Sequence, residues 1–545
     1  MTLKIAVAQL NFTVGDITGN ARRIAWAAST AHAQGAHLLL TPELSICGCS
    51  ASDLLLRPSF IVACDEAVAT IAGQTAGLAG LTLVIGHPAS AAQGLCNAAS
   101  VIRDGRVIGV YAKRALDDRM CGERRWFAPG QGAGVFEVQD FRVGLLIGQD
   151  AELEPSMQQA RQAGAELLAA ISAAPYYAGQ GSEREALMAE RARARGLPLV
   201  CVCPVGGQDE VVFAGRSFAV AADGRLVGRA PSFAEQLAVI GVTRAGAALR
   251  LAADIAPTRE ADADLWDALV MGLRDYAGKS GFQSAVLGLS GGIDSALVLA
   301  LAVDALGRER VSTVTMPSPY TAAISLEDAR DMARRLGVRL DDIDIQPLFE
   351  RLRQSLHPLF GGKTEDATEE NLQARIRGVL LMALSNKHGH LLLTTGNKSE
   401  YATGYCTLYG DMCGGFAPIK DVLKTAVFRL ARWRNAHDPY GSGANPIPER
   451  IITRAPSAEL RPDQTDQDSL PPYEVLDAII ERYVENDASS AELIAAGFGQ
   501  ADVEQVARLL KASEYKRRQS APGTRVTRRG FGGDWRYPIA SKFRA

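Results

Sequence analysis

The sequence predicts an α/β protein built from two differently organised halves. Three observations indicate this. Short β-rich segments alternate with alanine-rich helical stretches up to about residue 250, strands alternate with longer helices after it, and one strand breaks into Ser290-Gly291-Gly292 before a helix begins. A chain of 545 residues is too long for a single hydrophobic core, so two or three domains are expected.

The first half reads as a layered α/β domain. Its predicted strands are residues 4–9, 37–40, 81–86, 107–113, 142–147 and 199–203. Residues 244–263, rich in alanine and acidic side chains and containing Pro257, look like a linker. The predicted domains therefore span residues 1–245 and 263–545, joined by a linker at residues 246–262.

The second half shows strands and helices in regular alternation. Helices are predicted at residues 261–278, after the glycine turn, around 327–336 and at 369–387, and strands around 286, at 311–316, near 342–345 and at 390–395. This order predicts a doubly wound parallel sheet that binds its ligands at the carboxyl ends of the strands.

Composition and charge exclude several classes of partner. Hydrophobic residues make up 47% of the chain and charged residues 22%, as in soluble globular proteins. A net charge of -3 predicts no nucleic-acid or membrane partner, although residues 511–544 are locally basic. Nine cysteines without metal-like spacing indicate free thiols in a reducing compartment. With no signal pattern and no apolar run long enough to span a bilayer, the cytoplasm is the expected location.

The segment from Val286 to Leu299 is the strongest functional signal. Glycines in its turn let the backbone approach a ligand, and the helix N-terminus with Ser290 and Ser295 offers donors to phosphate oxygens. The order Ser-Gly-Gly-x-Asp-Ser lacks the lysine of the Walker A loop and resembles the pyrophosphate loop of ATP pyrophosphatases. Asp294 then reads as a magnesium ligand. An ordinary glycine turn is the structural alternative.

A second strand ends in a polar turn in the segment from Leu392 to Glu400. Thr395 and Glu400 are therefore expected at the same sheet edge as the phosphate loop, and a second carboxylate there suits a second magnesium contact. The segment from Tyr401 to Asp421 is too rich in glycine and aromatic residues for a plain helix. It is predicted to be a binding loop.

Several segments together closely resemble NAD synthetase, over essentially residues 265–544. Besides the phosphate loop, they are Met316-Pro-Ser-Pro-Tyr-Thr321, Glu369 to Arg377, Leu392 to Asp421, Lys424 and Tyr515-Lys-Arg-Arg-Gln519. The resemblance implies that the nicotinate carboxylate of deamido-NAD attacks the α-phosphate of ATP, and that ammonia cleaves the resulting adenylate to the amide. Asparagine, GMP and argininosuccinate synthetases and tRNA-modifying enzymes share the loop alone.

The resemblance assigns roles residue by residue. The resemblance assigns ATP binding to Gly288, Leu289, Ser290, Gly291, Gly292, Ile293, Asp294, Ser295, Thr395, Lys424 and Ser457. It assigns magnesium binding to Asp294 and Glu400. Deamido-NAD binding is assigned to Asn371, Glu400 and Lys516, of which Lys516 is expected to close over the site from the tail. Surface charges are the alternative interpretation of Lys424 and Lys516, and helix capping is the alternative for Ser457.

Residues 3–243 are similar to the nitrilase-like glutaminase half of glutamine-dependent NAD synthetases, which implies an αββα sandwich. The resemblance is carried by Thr41 to Gly48, Asp53 to Pro58, Tyr111-Ala-Lys113, Trp126 to Gly130 and Val205 to Glu210. In that family a glutamate is general base, a lysine steadies the oxyanion and a cysteine attacks the glutamine amide. Glu43 and Lys113 match the first two residues, but Gly148 stands where the cysteine is expected.

The missing nucleophile decides which nitrogen donor is expected. Cys47, Cys49 and Cys121 are the candidates for a relocated thiol, but none lies on the expected strand-to-helix elbow. Gln149 and Ala174 also depart from the family pattern. Ammonia is therefore expected as the donor, with glutamine as the alternative. A catalytically dead scaffold is the alternative of another class, and a homo-oligomer, dimer or larger, is expected by resemblance.

Overall fold

The computed structural model describes residues 2–117, 122–246, 248–457, 459–461 and 464–542. The chain forms two compact units, Met1–Asp264 (unit 1) and Leu265–Ala545 (unit 2). Both units are α/β, which confirms the predicted fold class. Among the described helices, none is long and apolar enough to cross a bilayer.

Unit 1 contains fifteen described strands and four α-helices. The strands are β1 Thr2–Gln9, β2 Leu38–Leu40, β3 Thr82–Ala91, β4 Gly94–Arg103, β5 Arg106–Ala112, β6 Gly134–Val138, β7 Phe141–Ile147, β8 Leu167–Ile171, β9 Leu199–Val202, β10 Val205–Gln208, β11 Val211–Ala214, β12 Phe218–Val220, β13 Leu226–Arg229, β14 Gln236–Ala245 and β15 Ala248–Ala252. The helices are α1 Ile17–Ala33, α2 Pro58–Thr75, α3 Glu154–Gln162 and α4 Gln180–Arg195.

Two sheets pack face to face in unit 1, in the orders β15-β14-β1-β2-β3-β4-β5 and β13-β12-β9-β8-β7-β6. Successive side chains of β1 point to opposite faces of its sheet. Ile5 and Val7 lie in the core shared with Val143 and Ile147 of β7, whereas Ala8 packs in the core that includes α1 and α2 residues. Helices α3 and α4 cover the other sheet. The result is the expected αββα sandwich.

Unit 2 contains one parallel sheet and twelve α-helices in its described residues. The strands are β16 Ala285–Gly288, β17 Val311–Thr315, β18 Arg339–Asp342 and β19 Leu391–Leu392. The helices are α5 Ala261–Lys279, α6 Ile293–Leu306, α7 Ala323–Leu336, α8 Gln346–Phe360, α9 Ala367–His388, α10 Lys398–Thr403, α11 Lys424–Ala436, α12 Glu449–Thr453, α13 Tyr473–Ile480, α14 Ser490–Ala495, α15 Gln500–Ala512 and α16 Glu514–Arg517.

The strand order β18-β17-β16-β19 reverses beside β16, which is where doubly wound sheets bind ligands. The phosphate loop therefore follows the central strand at this switch point. All pairs in the sheet are parallel, as predicted.

Three element boundaries differ from the sequence prediction. The strand expected near residues 342–345 is Arg339–Asp342, because its polar residues form an exposed edge strand whose apolar signal is weak. The strand expected at 390–395 is limited to Leu391–Leu392, since the chain then turns to pair Leu393 with Phe416. Residues 248–252 of the predicted linker form β15 and pair with β14.

A buried ion pair ties three helices of unit 2 together. Arg434 of α11 is 0% exposed and donates through Nε to Asp304 of α6 at 2.9 Å and through Nη2 at 3.2 Å. Trp266 of α5 donates its indole N–H to the same carboxylate at 2.9 Å. Breaking such a pair leaves an uncompensated buried charge.

We therefore expect Arg434→Met to lower the free energy of unfolding by about 3–5 kcal/mol. Urea unfolding followed by tryptophan fluorescence measures it, because Trp266 lies in the affected cluster. The matched control is Arg330→Met, whose pair with Asp342 is half exposed and whose loss should cost less than about 1 kcal/mol. Equal effects of the two substitutions would contradict the assignment.

Candidate functional site

The phosphate loop joins β16 to α6 and is held by its own hydroxyl groups. Ser290 and Ser295 lie with their Oγ atoms 3.0 Å apart, and Oγ of Ser290 accepts the N–H of Gly292 at 3.1 Å. Gly291 has a φ of +80°, and a Cβ there would lie 2.1 Å from the Ser325 carbonyl oxygen. Only glycine fits at this position. The conformation of the loop is thus stabilised by contacts within the protein.

A cavity of about 280 Å³ opens above this loop. The predicted site residues that line it are Gly288, Leu289, Ser290, Gly292, Ile293, Asp294, Ser295, Thr395, Glu400, Lys424 and Ser457. Gly291, Asn371 and Lys516 do not line it. The sheet edge therefore brings together most of the residues that the sequence singled out.

Lys424 lies buried between two of the predicted acids. Its Nζ is 2.5 Å from Oδ2 of Asp294 and 3.6 Å from Oε1 of Glu400, and Asn397 donates to Oδ1 of Asp294 at 2.8 Å. Burial alone lowers the pKa of Lys424, but the two carboxylates outweigh it and raise the pKa. Burial, followed by the charge of Asp294, raises the pKa of Glu400 to about 8.

The acid pair fits a magnesium ion that is shared with a nucleotide. Among the described residues, no group of three or more acids, histidines and cysteines could hold a metal ion alone. Magnesium usually takes one or two carboxylates and completes its shell with phosphate oxygens and water. Asp294 and Glu400, beside the phosphate loop, meet that requirement. In this structure Lys424 neutralises part of their charge.

Asn371 and Lys516 support the wall of the cavity rather than line it. Oδ1 of Asn371 accepts a hydrogen bond from Oγ1 of Thr407 at 2.8 Å. Lys516, on α16, donates through Nζ to the carbonyl oxygens of Gly404 and Cys406 at 2.7 Å each. Both therefore hold the segment after α10, which has no helix between residues 404 and 423, in agreement with the predicted loop.

Among the described residues, the sequence analysis missed five charged residues of the cavity as individual sites, namely Arg377, Asp411, Arg454, Glu459 and Asp466. Arg377 donates through Nε to the Met316 carbonyl at 3.0 Å, and burial lowers its pKa to about 10. Arg454 donates to the carbonyl of Gly291 at 3.1 Å. Asp466 lies on a short turn before α13. Arg377 and Asp411 sit inside segments already quoted for the resemblance, whereas Asp466 has no motif around it.

In unit 1 the predicted glutamate and lysine meet in a buried cluster. Nζ of Lys113 is 2.8 Å from Oε1 of Glu43 and 2.8 Å from Glu123. Asn97 donates to both glutamates, at 2.8 and 3.1 Å. The second oxygen of Glu43 accepts the N–H of Ala173 at 3.0 Å. Glu123 and Asn97 come from segments that the sequence analysis did not single out.

Gly148 follows β7 and faces this cluster. Its φ is +51°, and a Cβ built on it would lie 2.7 Å from Nζ of Lys113 and 2.9 Å from Oε2 of Glu43. Gly148 therefore lies beside Glu43 and Lys113, the two residues that the resemblance groups with this position. The side-chain ends of Lys113 and Glu43 lie so close to this position that a β-carbon would displace them.

Of the candidate replacement thiols, the described Cys47 and Cys49 are not among the nearest neighbours of a Cβ at position 148. Cys47 is buried, and its hydrogen bond to Cys64, together with burial, raises its pKa well above the ordinary value. Cys49 is half-buried, and Cys121 lies outside the described residues. Cys203, which the sequence analysis did not weigh, is buried in the core beneath α3 and α4.

Comparisons with known proteins identify a family for each unit. Residues 265–520 match the NAD synthase family, and residues 4–249 match the carbon-nitrogen hydrolase family. A glutamine-dependent NAD(+) synthetase of Xanthomonas campestris pv. campestris is 48% identical, over 99% of this chain and 98% of that protein. The glutamine-dependent NAD(+) synthetase of Acinetobacter baylyi is 45% identical, over 100% of this chain and 99% of that protein. The solved glutamine-dependent NAD+ synthetase from Acinetobacter baumannii, in complex with ADP, is 42% identical with a TM-score of 0.80, over 99% and 98%.

Fold and sites together define a carbon-nitrogen ligase in which a nucleotide-binding unit is fused to a nitrilase-like unit. The chain belongs to the family of glutamine-dependent NAD(+) synthetases. Both family resemblances read from the sequence are thereby confirmed.

Asp294→Ala is expected to abolish NAD formation while leaving the fold intact. The acid lies beside the phosphate loop, and losing one charge from a metal-phosphate site removes several kcal/mol of transition-state stabilisation. Steady-state NAD formation and the melting temperature measure the two effects. Asp331→Ala, on the surface of α7, is the control and should keep wild-type turnover. A near wild-type rate for Asp294→Ala would contradict the metal site.

Proposed function

We propose that this protein is an ammonia-dependent NAD synthetase that amidates deamido-NAD, that is, nicotinate adenine dinucleotide. The nicotinate carboxylate attacks the α-phosphate of ATP, and pyrophosphate leaves. Ammonia then attacks the acyl carbon of the adenylate, and AMP leaves. The arrangement of the cavity in unit 2 supports this reaction, because a phosphate loop, two acids and a buried lysine share one sheet edge.

Each residue of the cavity has a physical task in this proposal. The loop from Gly288 to Ser295 binds the phosphates through backbone N–H groups and hydroxyls. Lys424, which is paired with Asp294 here, neutralises a phosphate oxygen when the bound nucleotide competes with Asp294 for the lysine. Asp294 and Glu400 would hold a magnesium ion, which would supply charge neutralisation for the phosphates. Thr395 and Ser457 line the same cavity and are assigned to ATP.

Gly148 is the observation that carries the choice of donor. Glycine has no side chain, so no thioester with glutamine can form at this position. The neighbouring polar groups already have partners. Lys113 forms ion pairs with Glu43 and Glu123, and the second oxygen of Glu43 accepts a hydrogen bond from the N–H of Ala173. We therefore interpret the unit 1 cluster as the remnant of a glutaminase site.

Glutamine dependence through a relocated nucleophile is the second candidate, because the relatives carry that name. A dead scaffold is disfavoured by the intact phosphate loop and its ordered hydroxyls. Of the cysteines weighed, Cys47 is disfavoured by its raised pKa, since the thiolate is the nucleophile.

Ammonium should support NAD formation, and glutamine should be a negligible donor. The reason is that activated water guided by Glu43 faces a far higher barrier to amide cleavage than a thiolate does. NAD formation with each donor in turn, together with glutamate release, measures this. Stoichiometric glutamine hydrolysis that a thiol reagent blocks would reveal a relocated nucleophile.

Gly148→Cys should restore glutaminase activity weakly at best. The new Cβ lies within contact distance of Lys113 and Glu43, so both side chains must retreat before a thiol fits. Gln149 and Ala174 have also departed from the family pattern, and catalytic groups act as a unit. Glutamate release by this variant, with Gly148→Ser as the control that adds bulk without a thiol, measures the effect. Full glutamine-dependent synthesis by Gly148→Cys would contradict the account.

Lys516→Ala should weaken the use of deamido-NAD. Its ammonium group holds two carbonyls of the segment that walls the cavity, so its loss loosens that segment. The KM for deamido-NAD and the melting temperature measure the effect, and Lys511→Ala on neighbouring α15 is the control. A large loss of melting temperature with unchanged kinetics would show that Lys516 is purely structural.

A further inference from the structure

Asn397 contacts both of the acids that are assigned to magnesium. It is 0% exposed and lies between β19 and α10. Oδ1 of Asn397 accepts the backbone N–H of Glu400 at 3.0 Å, and the backbone N–H of Asn397 donates to Oε2 of Glu400 at 3.1 Å. Nδ2 of Asn397 donates to Oδ1 of Asp294 at 2.8 Å. One buried residue therefore connects the acid of α6 with the acid of α10.

The orientation of the Asn397 amide group follows from its own contacts. Oδ1 faces the backbone N–H of Glu400, so it must be the acceptor, and Nδ2 must be the group that faces Asp294. A serine or an aspartate would also be a favourable N-cap for α10. The serine side chain is shorter, however, and an ionised aspartate has no proton to donate. Helix capping alone thus does not account for the contact with Asp294.

These contacts give the two oxygen atoms of each acid different surroundings. Oδ1 of Asp294 and Oε2 of Glu400 accept hydrogen bonds from Asn397. Oδ2 of Asp294 and Oε1 of Glu400 instead face Nζ of Lys424, at 2.5 and 3.6 Å. The ammonium group of Lys424 therefore lies beside one oxygen of each acid, and all three side chains line the cavity. The same two oxygens are the ones that each acid can offer to a metal ion.

We propose that Asn397 is a positioning residue that fixes Asp294 and Glu400 for magnesium and favours this ion over calcium. This rests on the proposed function, in which the two acids hold the metal. Magnesium demands a regular shell and uses one or two carboxylates, whereas calcium accepts irregular shells and both oxygens of one carboxylate. Holding one oxygen of each acid therefore favours the smaller ion. Residues that orient metal ligands in this way typically change metal affinity by about 10- to 100-fold.

Asn397→Ser tests the proposal, because it keeps a good N-cap and removes the amide group that reaches Asp294. Calorimetry measures how the full-length wild type and variant bind α,β-methylene-ATP, an analogue that cannot release pyrophosphate, at increasing free magnesium. We expect the magnesium concentration for half-maximal binding to rise by about 10-fold or more in the variant. The corresponding calcium concentration should rise much less. Asp366→Ser, which exchanges the N-cap of α9 outside the cavity lining, is the matched control and should change neither.

Steady-state NAD formation with ammonium separates a positioning role from a structural one. The KM for magnesium should rise in Asn397→Ser, and excess magnesium should recover most of kcat. An unchanged magnesium requirement in both assays, or equal rises with magnesium and calcium, would overturn the proposal. Absence of NAD formation by the wild type from ATP, deamido-NAD and ammonium would instead overturn the proposed function. If Asn397→Ser lowers the melting temperature, Asn397→Thr, a larger residue that also caps helices, replaces it, and the same outcomes decide.

Discussion

The sites of both units include residues at the carboxyl ends of buried parallel strands. In unit 2 the phosphate loop follows β16, and Asn397 and Glu400 follow β19, its neighbour in the sheet. In unit 1 Gly148 follows β7 and Ala173 follows β8, again neighbours. The strands themselves are filled by apolar residues that form the cores. This constraint decides where chemistry can occur in either unit.

Each unit has one buried lysine between two acids, with different consequences. Lys113 and its partners Glu43 and Glu123 satisfy one another, with Asn97 bridging the two acids. Buried charges of this kind are stable only when paired and hydrogen-bonded. The Lys424 cluster also pairs its lysine, but it opens onto a cavity that has room for phosphates. The charges of the Lys113 cluster are thus paired with one another. In the Lys424 cluster, a ligand in the cavity can replace the partners of the lysine.

The sequence was sufficient for features that combine a strand, a turn and a chemically distinctive residue. Asp294, Glu400 and Gly148 all follow predicted strands, so their positions at a sheet edge could be inferred from local pattern alone. Glu123, Arg454 and Asp466 lie in irregular segments, and their approach to the sites depends on long-range packing that no periodicity reports. The end of β19 has a similar cause, since the next residue, Leu393, pairs with Phe416 from a later segment of the chain.

Under the proposed function, Gly148 makes free ammonia, and not glutamine, the nitrogen source of this chain. A competition between two nitrogen donors tests this claim most directly. Glutamine labelled with nitrogen-15 in its amide is mixed with an equal concentration of unlabelled ammonium. The nitrogen-15 content of the NAD formed is then measured by mass spectrometry. The account predicts NAD without the heavy isotope. NAD enriched in nitrogen-15 beyond what a no-enzyme control releases from glutamine would contradict it.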